Sequence, residues 1–284
     1  MRLLIVGITG MLGNTLFRYF NQQPDVEVFG TVRDARAKSH FDDAHHNAII
    51  SGVDADHFDS ITSAFAKAKP DIVINAVGLI KQLQSSQDPL SALPLNALFP
   101  HRLARLCAVA GARLVHISTD CVFTGAAGGY VETDTPDATD LYGRSKLLGE
   151  VDYPHAITLR TSIIGHELGS ANGLIGWFLS QQGTTRGYTR AIFSGFPTLE
   201  LARIIERYVV PRADLHGLYH VASSPISKHD LLQLTAAAYG KDIEIVPDDT
   251  LVIDRSLNAD RFNAATGYQP PVWPELVRAM KHFG

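Results

Sequence analysis

Arg2-Leu3-Leu4-Ile5-Val6-Gly7-Ile8-Thr9-Gly10-Met11-Leu12-Gly13 drives an apolar run straight into three evenly spaced glycines. The run has the length of a buried strand, and the residues from 11 to about 22 carry a helical pattern. A strand, a tight turn and a helix in this order give each glycine a task. Gly7 permits the turn, Gly10 lets a ligand approach the backbone, and Gly13 lets the helix pack on the strand. The helix start offers unpaired N–H groups to a pyrophosphate. Gly7, Thr9, Gly10, Met11, Leu12 and Gly13 are therefore expected to hold a dinucleotide. The spacing is GxxGxxG, a variant of the dinucleotide fingerprint, and taken alone it also fits a Gly-rich turn in any α/β protein.

A second signature lies far downstream. Tyr142-Gly143-Arg144-Ser145-Lys146 places Tyr142 and Lys146 four apart, on one face of a helix. Upstream, Val115-His116-Ile117-Ser118-Thr119-Asp120 reads as a strand ending in two hydroxyl residues. Glycine turn, Ser-Thr strand end and YxxxK, in that order, resemble the extended short-chain dehydrogenase/reductase superfamily. Longer segments are similar to its dTDP-4-dehydrorhamnose reductase group: Asp71-Ile72-Val73-Ile74-Asn75-Ala76, Leu95-Asn96-Ala97, Ser118 to Gly125, Tyr142 to Glu150, Leu159-Arg160-Thr161-Ser162, Pro197-Thr198 and Arg255-Ser256-Leu257. The resemblance extends over nearly the whole chain.

Composition agrees. The 284 residues are 45% hydrophobic and 19% charged, enough for a large packed core. A net charge of −4, without a basic run, argues against a nucleic-acid partner. Two cysteines, Cys107 and Cys121, do not make a disulfide framework, so a reduced cytoplasmic setting is expected. The apolar start ends at Gly7, too early for a signal-peptide core, and no stretch approaches a membrane span. His40, His45, His46 and His57 sit in a polar stretch without metal-ligand spacing, which reads as a solvated loop, so no metal is expected.

Strands are expected at 2–7, 26–32, 47–51, 71–76, 113–118 and 156–160, and helices at 11–22, 56–68, 92–110 and 141–152. Such alternation predicts an α/β, Rossmann-type doubly wound parallel sheet covered on both faces. Glycines multiply after about residue 165 and the alternation fades. The resemblance implies that this half forms a smaller substrate-binding region with some segments returning to the main sheet, so the expected division is a dinucleotide-binding domain over 1–165 and that region over 166–284.

Cofactor choice turns on the end of the second strand. An acidic residue there would bind the ribose 2′-hydroxyl of NAD, whereas arginine suits a 2′-phosphate. Arg33 favours NADP(H), with NAD(H) left open and Asp34 pointing elsewhere or modulating the site. Asp54 occupies the place where relatives hold the adenine ring, and equally suits a helix N-cap. Asn75, Ala76, Val77 and Gly78 end the fourth strand with small residues over which the cofactor can pass.

For reduction of a ketone, Tyr142 would donate the proton, Lys146 would lower its pKa, and Thr119 would orient the carbonyl oxygen; the resemblance implies that Lys146 also grips the nicotinamide ribose. The related 4,6-dehydratases carry Asp-Glu after the threonine. Here Asp120-Cys121 follows, so dehydration is disfavoured; the reductases usually have an aromatic where Cys121 stands, which fits better as a small buried residue than as a reactive thiol. Lys81, Asp120, Cys121, Trp177 and Arg255 are the substrate candidates. Lys81, facing the diphosphate or sugar, reads equally as a solvated loop lysine, and Trp177 either flanks the sugar or nucleobase or, the favoured reading, joins Phe178 among the core anchors. The resemblance implies an arginine near the nucleotide diphosphate in the region of Arg255, and the guanidinium fork suits phosphate oxygens; Arg160 lies inside a strand-like run, where it equally reads as half of a buried structural ion pair. The resemblance implies an NADPH-dependent reductase of a nucleotide-linked 4-keto-6-deoxysugar, feeding surface polysaccharide synthesis, with a homodimer left open. The alternatives are an NAD-dependent sugar-nucleotide epimerase and a non-catalytic, NADP-binding regulatory subunit, such as the relative that serves methionine adenosyltransferase.

Overall fold

Four consecutive buried residues in each of two short strands, Leu3–Val6 and Ile72–Asn75, show a sheet covered on both faces. The structure, a computed structural model, describes residues 1–81 and 84–284; Gln82 lies outside them. In chain order the first elements are β1 (Arg2–Val6), α1 (Met11–Phe20), β2 (Glu27–Val32), β3 (Ile49–Ser51), α2 (Phe58–Ala68) and β4 (Ile72–Asn75). Then follow α3 (Pro89–Ala92), a π-helical segment (Leu93–Leu98), α4 (Phe99–Ala110), β5 (Arg113–Thr119), α5 (Leu141–Leu148) and β6 (Ala156–Thr161).

The main sheet has seven strands in the order β11-β6-β5-β4-β1-β2-β3, where β11 is Gly217–His220. β1 pairs in parallel with both β2 and β4, so the chain's direction of travel across the sheet reverses between β1 and β4. A crevice opens at the carboxyl ends of strands at such a switch point. Packed beneath is an apolar cluster that includes Leu4, Val6, Val73, Phe99, Leu103 and Cys107. Burial pushes the Cys107 thiol up to about 12, so it stays protonated and serves as packing.

Two compact units form. One comprises 1–118, 140–159 and 209–218, the other 119–139, 160–208 and 219–284. The expected boundary at 165 is thus crossed in both directions, as 119–139 belongs to the second unit and 209–218 to the first. The second unit carries β7 (Ile163–Ile164), α6 (Leu174–Ser180), β8 (Thr184–Tyr188), β9 (Ala191–Phe193), β10 (Phe196–Pro197) and α7 (Thr198–Ile204). It continues with β12 (Ile226–Ser227), α8 (Lys228–Tyr239), β13 (Glu244–Asp248), β14 (Ile253–Asp254), α9 (Asp260–Thr266) and α10 (Trp273–Phe283). Among its cores is one of Phe178, Leu232, Ala236 and Ile245.

The polar stretch around the histidines is more ordered than the expected loop. It folds into two 3-10 turns, Ala35–His40 and Asp43–Ala48, capped by Asp34 and Asp42. The His46 Nε2 lies 2.9 Å from the Lys38 carbonyl oxygen. Among the described residues no cluster of His, Cys, Asp and Glu could hold a metal ion, and no helix is long and apolar enough to cross a membrane.

Candidate active site

The glycine turn meets the demands of its sequence. Gly7 has φ +90°, in the region glycine favours, and a Cβ on it would lie 2.6 Å from Val77 Cγ2. Gly13 is closed from inside: a Cβ there would sit 2.1 Å from the Gly7 carbonyl oxygen. Gly10 differs, because the nearest atom to an added Cβ is 3.8 Å away. The protein's own packing therefore leaves Gly10 free, and the space above it faces outward with exposed Thr9. Gly10 is the N-cap of α1 and supplies no side-chain cap, so the helix start keeps the donors an anion would take. These features fit the pyrophosphate of a dinucleotide.

At the end of β2, Arg33 is exposed and has no hydrogen-bonded or ionic side-chain partner among the described residues. Asp34 turns away: it accepts from the Arg36 backbone N–H at 2.9 Å and pairs with the Arg36 guanidinium, which holds its carboxyl at about 2. Arg36 escaped the sequence reading because a residue inside a 3-10 turn shows no periodic signal. Asp54 is not an N-cap, since α2 begins at Phe58 with His57 in that position. It forms a local turn instead, accepting from the Asp56 N–H at 3.1 Å.

After β4, Asn75 is buried and occupied. Its amide contacts His116 Nδ1 at 3.1 Å and its oxygen accepts from the Val77 N–H at 3.1 Å. Asn75 thus shapes the turn through Ala76 and Val77, leaving Gly78 exposed. His116 lies fully buried on β5, well below its ordinary pKa through desolvation first and the Lys146 charge second. Asn96, in the π-helical segment, accepts from the Leu79 N–H at 2.9 Å and donates to Ser145 Oγ at 3.1 Å. It ties the β4 loop to α5. Its motif was visible in the sequence, but this role was not.

α5 begins at Leu141 with Asp140 as its N-cap, accepting from the Gly143 N–H at 2.8 Å. Lys81 Nζ pairs with the other Asp140 oxygen at 2.7 Å, so this substrate candidate steadies the helix that carries Tyr142. Lys146, one turn along from Tyr142, is buried and donates to the Ile117 carbonyl oxygen at 2.8 Å. Burial lowers its pKa to about 8, with Glu150 opposing the shift. Burial favours the neutral amine, so from this group alone stability rises with pH from about 8 towards the ordinary 10.5. Below that window the fold carries the cost of a buried ammonium. An NMR titration of labelled lysines, assigned with Lys146→Met, should show one amine with a midpoint near 8 in the cofactor-free protein; a midpoint at the ordinary lysine value would overturn the burial argument.

In the second unit, Thr119 ends β5 and caps the following turn. Its hydroxyl donates to Asp120 Oδ1 at 3.1 Å and accepts from the Cys121 N–H at 3.1 Å. Asp120 is buried, and desolvation raises its pKa against the opposing charges of Arg255 and Lys228. Cys121 is partly exposed, not buried as expected, and its thiol hydrogen-bonds Asp120. Arg255 Nε donates to the Phe123 carbonyl oxygen at 2.7 Å. Arg160 is buried against His220 Nε2 at 2.9 Å, with its guanidinium 5.1 Å from the Phe123 ring centre. Of the α6 aromatics, Phe178 is core, while Trp177 is 38% exposed. Trp177 lines an open depression of about 500 Å³ with Thr184, Arg186, Tyr188 and Val246.

Comparison with known proteins agrees with this reading of the motifs. The chain is 26% identical over 313 residues to a dTDP-4-dehydrorhamnose reductase of Aggregatibacter actinomycetemcomitans, covering 99% of each chain. A shorter match, 34% identical over 152 residues, links it to methionine adenosyltransferase 2 subunit beta of Bos taurus, covering 52% of this chain and 41% of that one. The fold is similar to the crystal structure of dTDP-4-dehydrorhamnose reductase from Bacillus anthracis in complex with NADP. That similarity has a TM-score of 0.79 at 21% identity, covering 99% of this chain and 98% of that one. The sequence pattern of the RmlD substrate binding domain matches residues 1–261, and the chain belongs to that family.

Proposed function

We propose that the protein is an NADPH-dependent reductase of a nucleotide-linked 4-keto-6-deoxysugar, acting in the synthesis of surface polysaccharide precursors. The observation that carries this is Lys146: a buried ammonium one helical turn from Tyr142, anchored on the strand whose last residue is Thr119. Gly7, Thr9, Gly10, Met11, Leu12 and Gly13 would hold the pyrophosphate, Arg33 the 2′-phosphate, and Ala76 to Gly78 would let the cofactor pass. A reduced nicotinamide, when bound, supplies a hydride to the keto carbon. Tyr142 gives its phenolic proton to the keto oxygen, and the Lys146 charge stabilises the phenolate that remains. Thr119 orients that oxygen by turning its hydroxyl proton from Asp120 to the substrate. No glutamate stands at position 121, so the acid–base pair for eliminating water is incomplete.

NADPH oxidation followed by absorbance, with a panel of dTDP-, UDP- and GDP-linked 4-keto-6-deoxysugars made in situ by 4,6-dehydratases, tests the reading. Oxidation with one member is expected. Silence across the panel, with NADPH still bound tightly, would favour the regulatory role suggested by the methionine adenosyltransferase relative. A separate test addresses the cofactor. Arg33→Asp removes a charged hydrogen-bond donor and should weaken NADPH by ~10- to 100-fold while sparing NADH. Fluorescence titration of both cofactors reads this, and an unchanged NADPH/NADH preference would remove Arg33 from the phosphate site.

A further inference from the structure

The turn after β4 is held at both ends by buried asparagines. Asn75 Oδ1 accepts the Val77 N–H at 3.1 Å, and Asn96 Oδ1 accepts the Leu79 N–H at 2.9 Å. Each amide group also donates away from the turn, Asn75 Nδ2 to His116 Nδ1 and Asn96 Nδ2 to Ser145 Oγ, both at 3.1 Å. Gly78 lies between these two clamps. A Cβ on it would stand 3.3 Å from Asn96 Oδ1 and 3.8 Å from Lys146 Nζ, so the turn carries its backbone up to the ammonium. The turn also meets the glycine loop, where a Cβ on Gly7 would lie 2.6 Å from Val77 Cγ2.

His116 closes the first clamp. A backbone N–H can only donate, so Val77 fixes which Asn75 atom is the oxygen and turns the NH2 towards the imidazole. Nδ1 therefore accepts, and the one ring proton of the neutral imidazole belongs to Nε2. That Nε2 is buried and has no hydrogen-bond partner among the described residues. An unpaired buried donor lowers stability, and leucine would fill much of the same space without it. Residue 116 stands opposite Asn75 in the β4-β5 register, so whatever side chain it carries packs beside that amide. Only a side chain with an acceptor at the place of Nδ1 keeps the clamp closed.

We infer that His116 is a positioning residue for the nicotinamide half of the cofactor, locking through Asn75 the turn that sets Gly78 beside Lys146. This rests on the cofactor reading above and deepens it, since Lys146 is the group taken there to hold the nicotinamide ribose. Without the acceptor, the Asn75 amide is unpaired or turns over, and the Val77 N–H loses its partner. Gly78 is then no longer presented at one distance from the ammonium.

Titration of the wild type and two variants with NADPH and with 2′,5′-ADP, which lacks the nicotinamide half, tests the assignment. His116→Leu should weaken NADPH by ~10-fold, the worth of one buried hydrogen bond, and leave 2′,5′-ADP unchanged. His116→Asn, with an oxygen near the place of Nδ1, should restore NADPH to within ~3-fold of the wild type. A purely structural role would rank the variants the other way, because asparagine buries an unpaired NH2 and leucine does not. Unchanged NADPH affinity in His116→Leu, an equal loss for both ligands, or His116→Asn as defective as His116→Leu would overturn the inference and leave the cofactor reading intact. Nitrogen-15 NMR of the native protein at neutral pH should show His116 as the Nε2–H tautomer; the Nδ1–H tautomer or an imidazolium would overturn the inference whatever the variants do. A wild type that binds neither ligand would overturn the cofactor reading as well.

Discussion

Tyr142→Phe should lower turnover by ~10²- to 10⁴-fold while leaving NADPH affinity largely unchanged. The substitution removes one oxygen and keeps the ring. The cap of α5 is a separate contact, from Asp140 to the Gly143 N–H, and Lys146 keeps its own anchor on the Ile117 carbonyl oxygen. The helix and the ammonium therefore stay in place, and what is lost is the proton that the keto oxygen must receive. Steady-state NADPH oxidation beside equilibrium NADPH binding separates these effects. Full activity in the variant would remove Tyr142 as the acid. A parallel loss of NADPH binding would instead assign it to cofactor binding.

The second large effect comes from a pair of glycines three residues apart. Gly13→Ala drives a methyl group to 2.1 Å from the Gly7 carbonyl oxygen and 2.9 Å from Ile8 Cα, both backbone atoms. Overpacking of this kind costs about 3 kcal/mol or more and should lower the melting temperature as well as abolish NADPH binding. Gly10→Ala meets nothing closer than 3.8 Å, so the fold should tolerate it. Its NADPH affinity should nevertheless fall by ~10-fold or more, the worth of a charged hydrogen bond, because the methyl group occupies the space a phosphate would use. Thermal melts and NADPH titrations of both variants read the contrast. Wild-type affinity in Gly10→Ala would move the pyrophosphate elsewhere.

The sequence carried the sheet because its signals are local. Buried strands appear as short apolar runs, and the six expected strands all form, with ends shifted by a residue or two. The helix expected at 92–110 is instead a short α-helix, a π-helical turn and a longer α-helix, and no periodicity announces a change of winding. The chemical motifs were legible for the same reason as the strands, since Tyr142 and Lys146 share one helix face. What escaped were residues whose roles depend on contacts distant in sequence. Asn96 bridges Leu79 and Ser145, and His116 meets Asn75. Lys81 and Asp34 show the reverse, their charges already satisfied by Asp140 and Arg36.

The edge strand β11 has a consequence for how the polypeptide is made. β6 is buried along its whole length, yet its outer neighbour is Gly217–His220, more than fifty residues further along. A nascent chain that has just released β6 from the ribosome presents an uncovered row of peptide groups beside the apolar run Ala156-Ile157-Thr158-Leu159. Until the later strand emerges, that row is open to pairing with another nascent chain. The interval is a window of aggregation risk during synthesis, when chaperone protection has most to offer.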